Sequence, residues 1–216
     1  MRRRDWLAAA LAWPAVARAS ADALQAAAEA GDVAALRRLL DAGTPVDARG
    51  TRQRTALLVA THASRVEAAR LLIGRGADVN AQDDQQDSPF LYAGAQGQLE
   101  ILRLTLAAGA NLKSTNRYGG TALIPAAHHG HVETVRELLK TSIDVNHVNR
   151  LGWTALLEAV ILGDGGAAHT EIVRLLIVHG AKLQLADAHG VTPLAHAEQR
   201  GQRAIADMLR RAGAAR

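Results

Sequence analysis

Cysteine is absent from the 216 residues. Its absence excludes structural disulfides, thiolate zinc sites, a cysteine nucleophile and a lipid-modified cysteine. Aromatic residues are nearly as scarce, at 3%, so any core has to be built from Ala, Leu, Val and Ile. After the first twenty residues no apolar run reaches the roughly 18 residues that a membrane-crossing helix needs. The chain also lacks a Gly-x-Ser-x-Gly elbow, a phosphate-cradling glycine loop followed by lysine, and a dinucleotide fingerprint. The run Gly163-Asp164-Gly165-Gly166 has neither the strand nor the lysine of a phosphate loop. What is present is 49% apolar and 21% charged residues, within the globular range. An Ala/Leu-rich, all-helical, non-enzymatic protein without cofactors is the expectation.

Residues 1–21 read as an export signal. Arg2, Arg3 and Arg4 form a basic head, followed by an uncharged, Ala-rich centre over residues 7–17. Small-residue cleavage sites follow at Ala17-Arg18-Ala19 and Ala19-Ser20-Ala21. Arg3-Arg4-Asp5-Trp6-Leu7 resembles the twin-arginine export motif, with Trp6 in the place of its usual Phe. Removal of this leader changes the charge argument. The whole chain carries 25 basic and 21 acidic side chains, a formal charge of +4. Cutting after Ala21 removes four arginines and Asp5, leaving 21 basic and 20 acidic. A nearly neutral mature chain has no global electrostatic attraction for phosphate backbones, so nucleic acid is not expected as a partner.

A 33-residue period governs the rest. Thr55-Ala56-Leu57, Ser88-Pro89-Phe90, Thr121-Ala122-Leu123, Thr154-Ala155-Leu156 and Thr192-Pro193-Leu194 start 33, 33, 33 and 38 residues apart. Counting back from Thr55 leads to Asp22-Ala23-Leu24. Three places after each bulky apolar residue stands an alanine: Ala27, Ala60, Ala93, Ala126, Ala159 and Ala197. The units are 22–54, 55–87, 88–120, 121–153, 154–191 and a shortened 192–216. The fifth holds five extra residues, Asp164-Gly165-Gly166-Ala167-Ala168.

Each unit predicts two antiparallel helices and a turn. Asp22, Ser88 or a threonine opens the first helix as an N-cap, with Pro89 and Pro193 suited to the first helical position. Gly31, Gly97, Gly130, Gly163 and Gly201 end it. The second helix carries aliphatic pairs such as Leu138-Leu139 and stops at Gly43, Gly76, Gly109, Gly180 and Gly213. Short extended pieces then lead into hairpin turns at Gly119, Gly152 and Gly190. One unit cannot bury its apolar side alone, so neighbours have to stack.

These features together resemble the ankyrin repeat over residues 22–216. The Thr-Pro-Leu-His-x-Ala run of that family is matched imperfectly by the five segments above. Its Gly-His-x-Glu-x-Val run is matched by Gly130-His131-Val132-Glu133-Thr134-Val135, and nearly by Gly97-Gln98-Leu99-Glu100-Ile101. Leu58, Leu91, Ile124 and Leu157 replace the family's histidine, and Ser64 and Ser142 replace helix-ending glycines. Gln53 and Gln86 stand where later units have turn glycines. The resemblance implies an all-α solenoid of about six stacked units with short β-hairpin loops, and a role in protein binding.

By that resemblance a partner protein contacts the hairpin tips and the first-helix faces along a concave side. At the tips these are Arg117, Tyr118, Gly120, Arg150, Leu151, Trp153, His189 and Val191. On the helices they are Thr61, His62, Tyr92, Gln96, His128, His129, Glu158, Ile161, Leu162, Gln199 and Arg200. Tyr118 and Trp153 stand out, because the mature chain has only four aromatics and these residue types anchor interfaces. Glu158 and His196 occupy equivalent positions and are expected on a solvated groove wall. His128, His129 and His131 raise a metal-site alternative, but no ligand geometry is implied, so no metal is assigned. The expectation is a monomeric periplasmic adaptor with no membrane contact after leader cleavage. One form implied by resemblance to periplasmic ankyrin proteins is support of a catalase under peroxide stress. A secreted effector that engages a host protein is the other.

Overall fold

Twelve α-helices and no strand make up the described residues. The computed structural model describes the backbone of residues 5–215 and the side chains of residues 18–215. Arg2, Arg3 and Arg4 of the basic head lie outside the described residues, as do the side chains of the apolar stretch 7–17. No described helix is long and apolar enough to cross a membrane. The helices are α1 (Asp5–Ala30), α2 (Val33–Asp41), α3 (Ala56–His62), α4 (Val66–Gly74), α5 (Pro89–Ala95) and α6 (Leu99–Ala107). They continue as α7 (Leu123–His128), α8 (Val132–Leu139), α9 (Ala155–Ile161), α10 (Ala167–Val178), α11 (Pro193–Gln199) and α12 (Arg203–Arg211).

Two compact units divide the chain: residues up to Pro89 with Leu104–Gly109, and Phe90–Arg103 with Ala110 onward. In the first, α1 packs on α2 and α3, and α2 on α4. Leu24, Leu36, Leu57, Leu58 and Leu72 are fully buried there. In the second, α7 packs on α9 and α9 on α11, while α10 packs on α8 and α12. Phe90, Leu123, Leu156 and Leu194 occupy its core, each contributing about 1.5–3 kcal/mol of transfer free energy. The periodic alanines Ala93, Ala126, Ala159 and Ala197 expose no surface, as expected of residues that set helix spacing. At Gly94 the helices approach closely enough that an added Cβ would lie 2.8 Å from the Cβ of Ala122.

Three of the expected N-caps form, and those at Asp22 and Thr121 do not. Thr55, Thr154 and Thr192 accept the amide hydrogens of Leu58, Leu157 and Ala195 at 3.2–3.3 Å. Asp22 does not open a helix, because α1 runs through it without a break and buries Ala21 and Leu24. Thr121 does not cap α7 with its side chain. The Ile124 amide bonds the Thr121 carbonyl at 3.2 Å instead, α7 begins one residue late, and the Thr121 hydroxyl is buried without a partner.

The glycine replacements resolve in different ways. Ser64, Gln53 and Gln86 adopt φ of 55°, 56° and 59°, so each bears the left-handed strain itself. That costs on the order of 1–2 kcal/mol per residue. Ser142 avoids it. α8 stops at Leu139, and the Thr141 hydroxyl donates to the Leu138 carbonyl at 2.6 Å and accepts the Ile143 amide hydrogen at 3.2 Å. The insertion is also not a plain surface loop: Ala167 and Ala168 form the first residues of α10, the only 12-residue helix after α1. Within it the left-handed residue is Gly165, at φ 70°, not Gly163.

Candidate functional site

Three tips of the second unit share one construction. At 116–120, 149–153 and 187–191 the first residue's amide donates to the carbonyl four residues on, at 3.0 Å each time (Asn116 to Gly120, Asn149 to Trp153, Asp187 to Val191). The turn glycine donates back to the first residue's carbonyl. The side-chain oxygen of that first residue then accepts two further amide hydrogens. Asn116 takes those of Tyr118 and Gly120, Asn149 those of Leu151 and Trp153, and Asp187 those of His189 and Val191, at 2.9–3.0 Å. Asp83 does the same for Gln85 and Asp87 in the first unit. Gly50 has no such side chain, and the Gln25 amide fills the space, donating to the Arg54 carbonyl at 2.5 Å.

Sequence reading missed this series. Its signal was an Asp or Asn five residues before each of Ser88, Thr121, Thr154 and Thr192. The physical basis is that a short carbonyl-bearing side chain can satisfy the amides of its own turn.

Consecutive tips are tied together. The Arg150 amide donates to the Tyr118 carbonyl at 2.9 Å, and its Nη1 donates to the Arg117 carbonyl at 2.8 Å. His147 Nε2 bonds the Gly119 carbonyl at 2.7 Å. The Arg117 guanidinium sits over the Tyr118 ring, 4.8 Å from its centroid. Tyr118 and Leu151 remain 52% and 51% exposed. Arg117, Arg150 and His189 are exposed as well, and Trp153 is half-buried. The structure therefore brings Arg117, Tyr118, Arg150 and Leu151 into one patch. Gln96 and Leu162 are exposed near the ends of α5 and α9, and Tyr92 is half-buried on α5.

Behind the tips the polar residues differ from the expected groove wall. Glu158 is buried, with 6% of its surface exposed. Its Oε1 accepts from Asn149 Nδ2 at 2.9 Å, and its Oε2 lies 3.7 Å from His128 Nδ1. Burial pushes the Glu158 pKa up to about 7, against the Asn149 hydrogen bond, which pulls it down. His196, at the equivalent position, pairs with Asp187 Oδ2 at 2.8 Å. His128 and His129 stack at 4.3 Å between ring centroids, and His129 and His131 lie 5.8 Å apart and tilted. Burial, then the charge of His129, lowers the pKa of both His128 and His131. Among the described residues no group of three His, Asp or Glu side chains is arranged to hold a metal ion.

Another cross-repeat contact recurs after the first helix. His131 is hydrogen-bonded to the Ala95 backbone, and His169 bonds the His128 carbonyl at 2.8 Å. Gln202 donates to the Val160 and Gly163 carbonyls at 3.0 and 3.2 Å, and Arg65 reaches the Glu29 carbonyl in the first unit at 2.9 Å. Each residue follows the end of one first helix and satisfies orphan carbonyls at the end of the preceding one.

Known proteins are similar to this chain in sequence and fold. A family model described as "Ankyrin repeats (3 copies)" matches residues 12–83 and 90–168, and "Ankyrin repeat" matches 151–188. The chain belongs to the ankyrin-repeat family. A putative ankyrin repeat protein of Escherichia coli K12, YahD, is 49% identical over 57 residues, which span 26% of this chain and 28% of that protein. The solved ankyrin repeat domain from Acinetobacter baumannii AYE is 58% identical, with a TM-score of 0.87 over 89% of this chain and 98% of its own. The ankyrin domain of Bcl-3 is 28% identical, with a TM-score of 0.80 over 89% of this chain and 86% of its own. Ankyrin repeats are protein–protein interaction modules, and the fold is typically a non-enzymatic scaffold.

Proposed function

We propose that this ankyrin-repeat protein is a non-catalytic adaptor of the bacterial periplasm, holding a partner protein on the tips of its second unit. The observation that carries this reading is the pre-ordered patch of Arg117, Tyr118, Arg150 and Leu151. Its loops are tied to each other through backbone carbonyls, and its aromatic and aliphatic side chains face solvent. A surface ordered before binding loses little further conformational entropy when a partner arrives. Export rests on the basic head, the apolar centre and the small-residue cleavage sites of residues 1–21. Support of a catalase in peroxide resistance is one biological form of this role, carried by resemblance to periplasmic ankyrin proteins.

Affinity capture from a periplasmic extract, compared between the native chain and a Tyr118→Ala/Trp153→Ala variant, tests the binding role. At least one protein is expected to be lost with the variant while helicity is retained, and unchanged capture removes both residues from the site. Replacing Arg3 and Arg4 by lysine should block export by the twin-arginine route, and undiminished export would exclude that route.

A further inference from the structure

We infer that the leader is cut between Ala19 and Ser20, not between Ala21 and Asp22, so that Ser20 becomes the first residue of the mature chain. The inference rests on the export reading proposed above and names the bond that is processed. Water adds across that peptide bond under a leader peptidase, leaving a carboxylate on Ala19 and an ammonium on Ser20.

In sequence the two bonds are nearly equivalent. Each follows a small-x-small run, Ala17-Arg18-Ala19 or Ala19-Ser20-Ala21. The fold separates them. α1 passes through both bonds without a break, but its buried face has a definite beginning. Ala21, Leu24 and Ala28 stand three and four residues apart, on one side of the helix, and expose 2%, 0% and 0% of their surface. Ala21 lines a recess with Pro45, Ala48 and Gly50 from the loop after α2. One turn before Ala21 the pattern stops: Arg18 and Ala19 are exposed, and Ser20 is half-buried. The packed part of the first repeat therefore starts at Ala21, and residues 18 and 19 lie ahead of it.

A peptidase that reads alternate small residues takes its substrate extended, with those side chains in pockets. Cutting after Ala21 requires Ala21 to leave its recess and α1 to unwind up to Asp22 and Ala23, next to fully buried Leu24. Cutting after Ala19 leaves Ala21 packed. It unwinds a stretch whose described side chains, Arg18, Ala19 and Ser20, are exposed or half-buried. A helix end with few buried contacts opens far more readily than a packed segment. Both products begin with a residue suited to cap a helix, serine or aspartate. Only the longer one keeps Ala21, the first packed residue of α1.

The test is mass spectrometry of the chain recovered from the periplasm of a bacterium expressing the full-length sequence, alongside an Ala17→Phe variant. Ser20 is expected as the predominant first residue of the native chain. Phenylalanine at position 17 spoils the run before the first bond and leaves Ala19-Ser20-Ala21 intact. The variant is therefore expected to lose processing and accumulate as full-length precursor, because the remaining bond lies in the packed part of the repeat. Predominance of any other first residue in the native chain, Asp22 included, overturns the inference while the export reading stands. Release from the variant of a chain beginning at Asp22, as efficient as native processing, overturns it too, since the second bond would then be open to the peptidase. Full-length native chain confined to the cytoplasm would overturn the inference and the export reading together.

Discussion

Asn149 donates from its Nδ2 to the buried Oε1 of Glu158 at 2.9 Å, while its own Oδ1 holds the Leu151 and Trp153 amides. One side chain thus joins the surface loop of the candidate site to an ionisable group in the repeat core. The pair makes the tip sensitive to what happens beneath it.

The first consequence concerns pH. The Glu158 pKa is raised from 4.5 to about 7 in the folded chain, chiefly by burial. Between those values the native state holds a proton that the unfolded chain releases, so stability falls as pH rises through that window. The contribution is up to about 3 kcal/mol. His128, His131 and His62 have lowered pKa values, first through burial, and act in the opposite sense below their ordinary range. His131 and His62 are common to the native chain and to Glu158→Gln, and His128, 3.7 Å from the Glu158 carboxylate, is controlled for by repeating the comparison in a His128→Ala background. Urea unfolding at pH 5 and pH 8 should therefore show the variant gaining stability relative to the native chain as pH rises. A difference that stays constant would contradict this origin.

Asparagine removal should be graded. Asn116→Ala strips two amides of their acceptor in a partly exposed turn, at a cost of about 1–2 kcal/mol. Asn149→Ala does the same and also leaves buried Glu158 without its donor. It should cost at least about 1 kcal/mol more, and double-mutant analysis with Glu158→Gln should recover the excess. Equal costs would show that the Glu158 contact contributes nothing.

The left-handed residues give a paired test. Ser64→Gly and Gln86→Gly relieve positive φ and should each stabilise by about 0.5–1 kcal/mol after the entropic cost of glycine. Ser142→Gly has no such strain to relieve and should be neutral or mildly destabilising. Stabilisation at Ser142 as large as at Ser64 would mean that the rearranged end of α8 is wrong.

The insertion should not be removable without cost. Asp164 accepts from the Gly166 amide and pairs with His169 Nδ1 at 2.8 Å, which directs His169 Nε2 to the His128 carbonyl. Gln202, 8% exposed, donates to Gly163 from the next repeat. Deleting 164–168 should lower the thermal midpoint by several degrees, as expected for a loss of about 1–3 kcal/mol in a chain of this size. An unchanged midpoint would mark the loop as a passive surface extension.

Much of this was legible in the residues. The 33-residue spacing, the alanines and the aliphatic pairs placed the helices, because stacking requires the same small residue at the same close approach in every repeat. The second-helix glycines at 43, 76, 109, 180 and 213 all take positive φ, as their position after a helix demands. Asp22 misled, since an N-cap signature is local and α1 continues across it. Ser64 stands at the end of a first helix and Ser142 at the end of a second helix, and only Ser142 directly follows a threonine whose hydroxyl can replace the lost bonds. For the candidate site, Arg117, Tyr118, Arg150 and Leu151 were named from their place beside the turns, and the structure puts them at adjoining tips. Glu158 was assigned to solvent because its charge was weighed without its burial, and the donor that meets it there, Asn149, lies nine residues away across the turn.

The most direct measurement is hydrogen exchange on the protein bound to its captured partner, compared with the free chain. New protection is expected at 115–120 and 148–153, with α8, α10 and α12 unaltered. Protection confined to those second helices, with the tips exchanging as before, would contradict it.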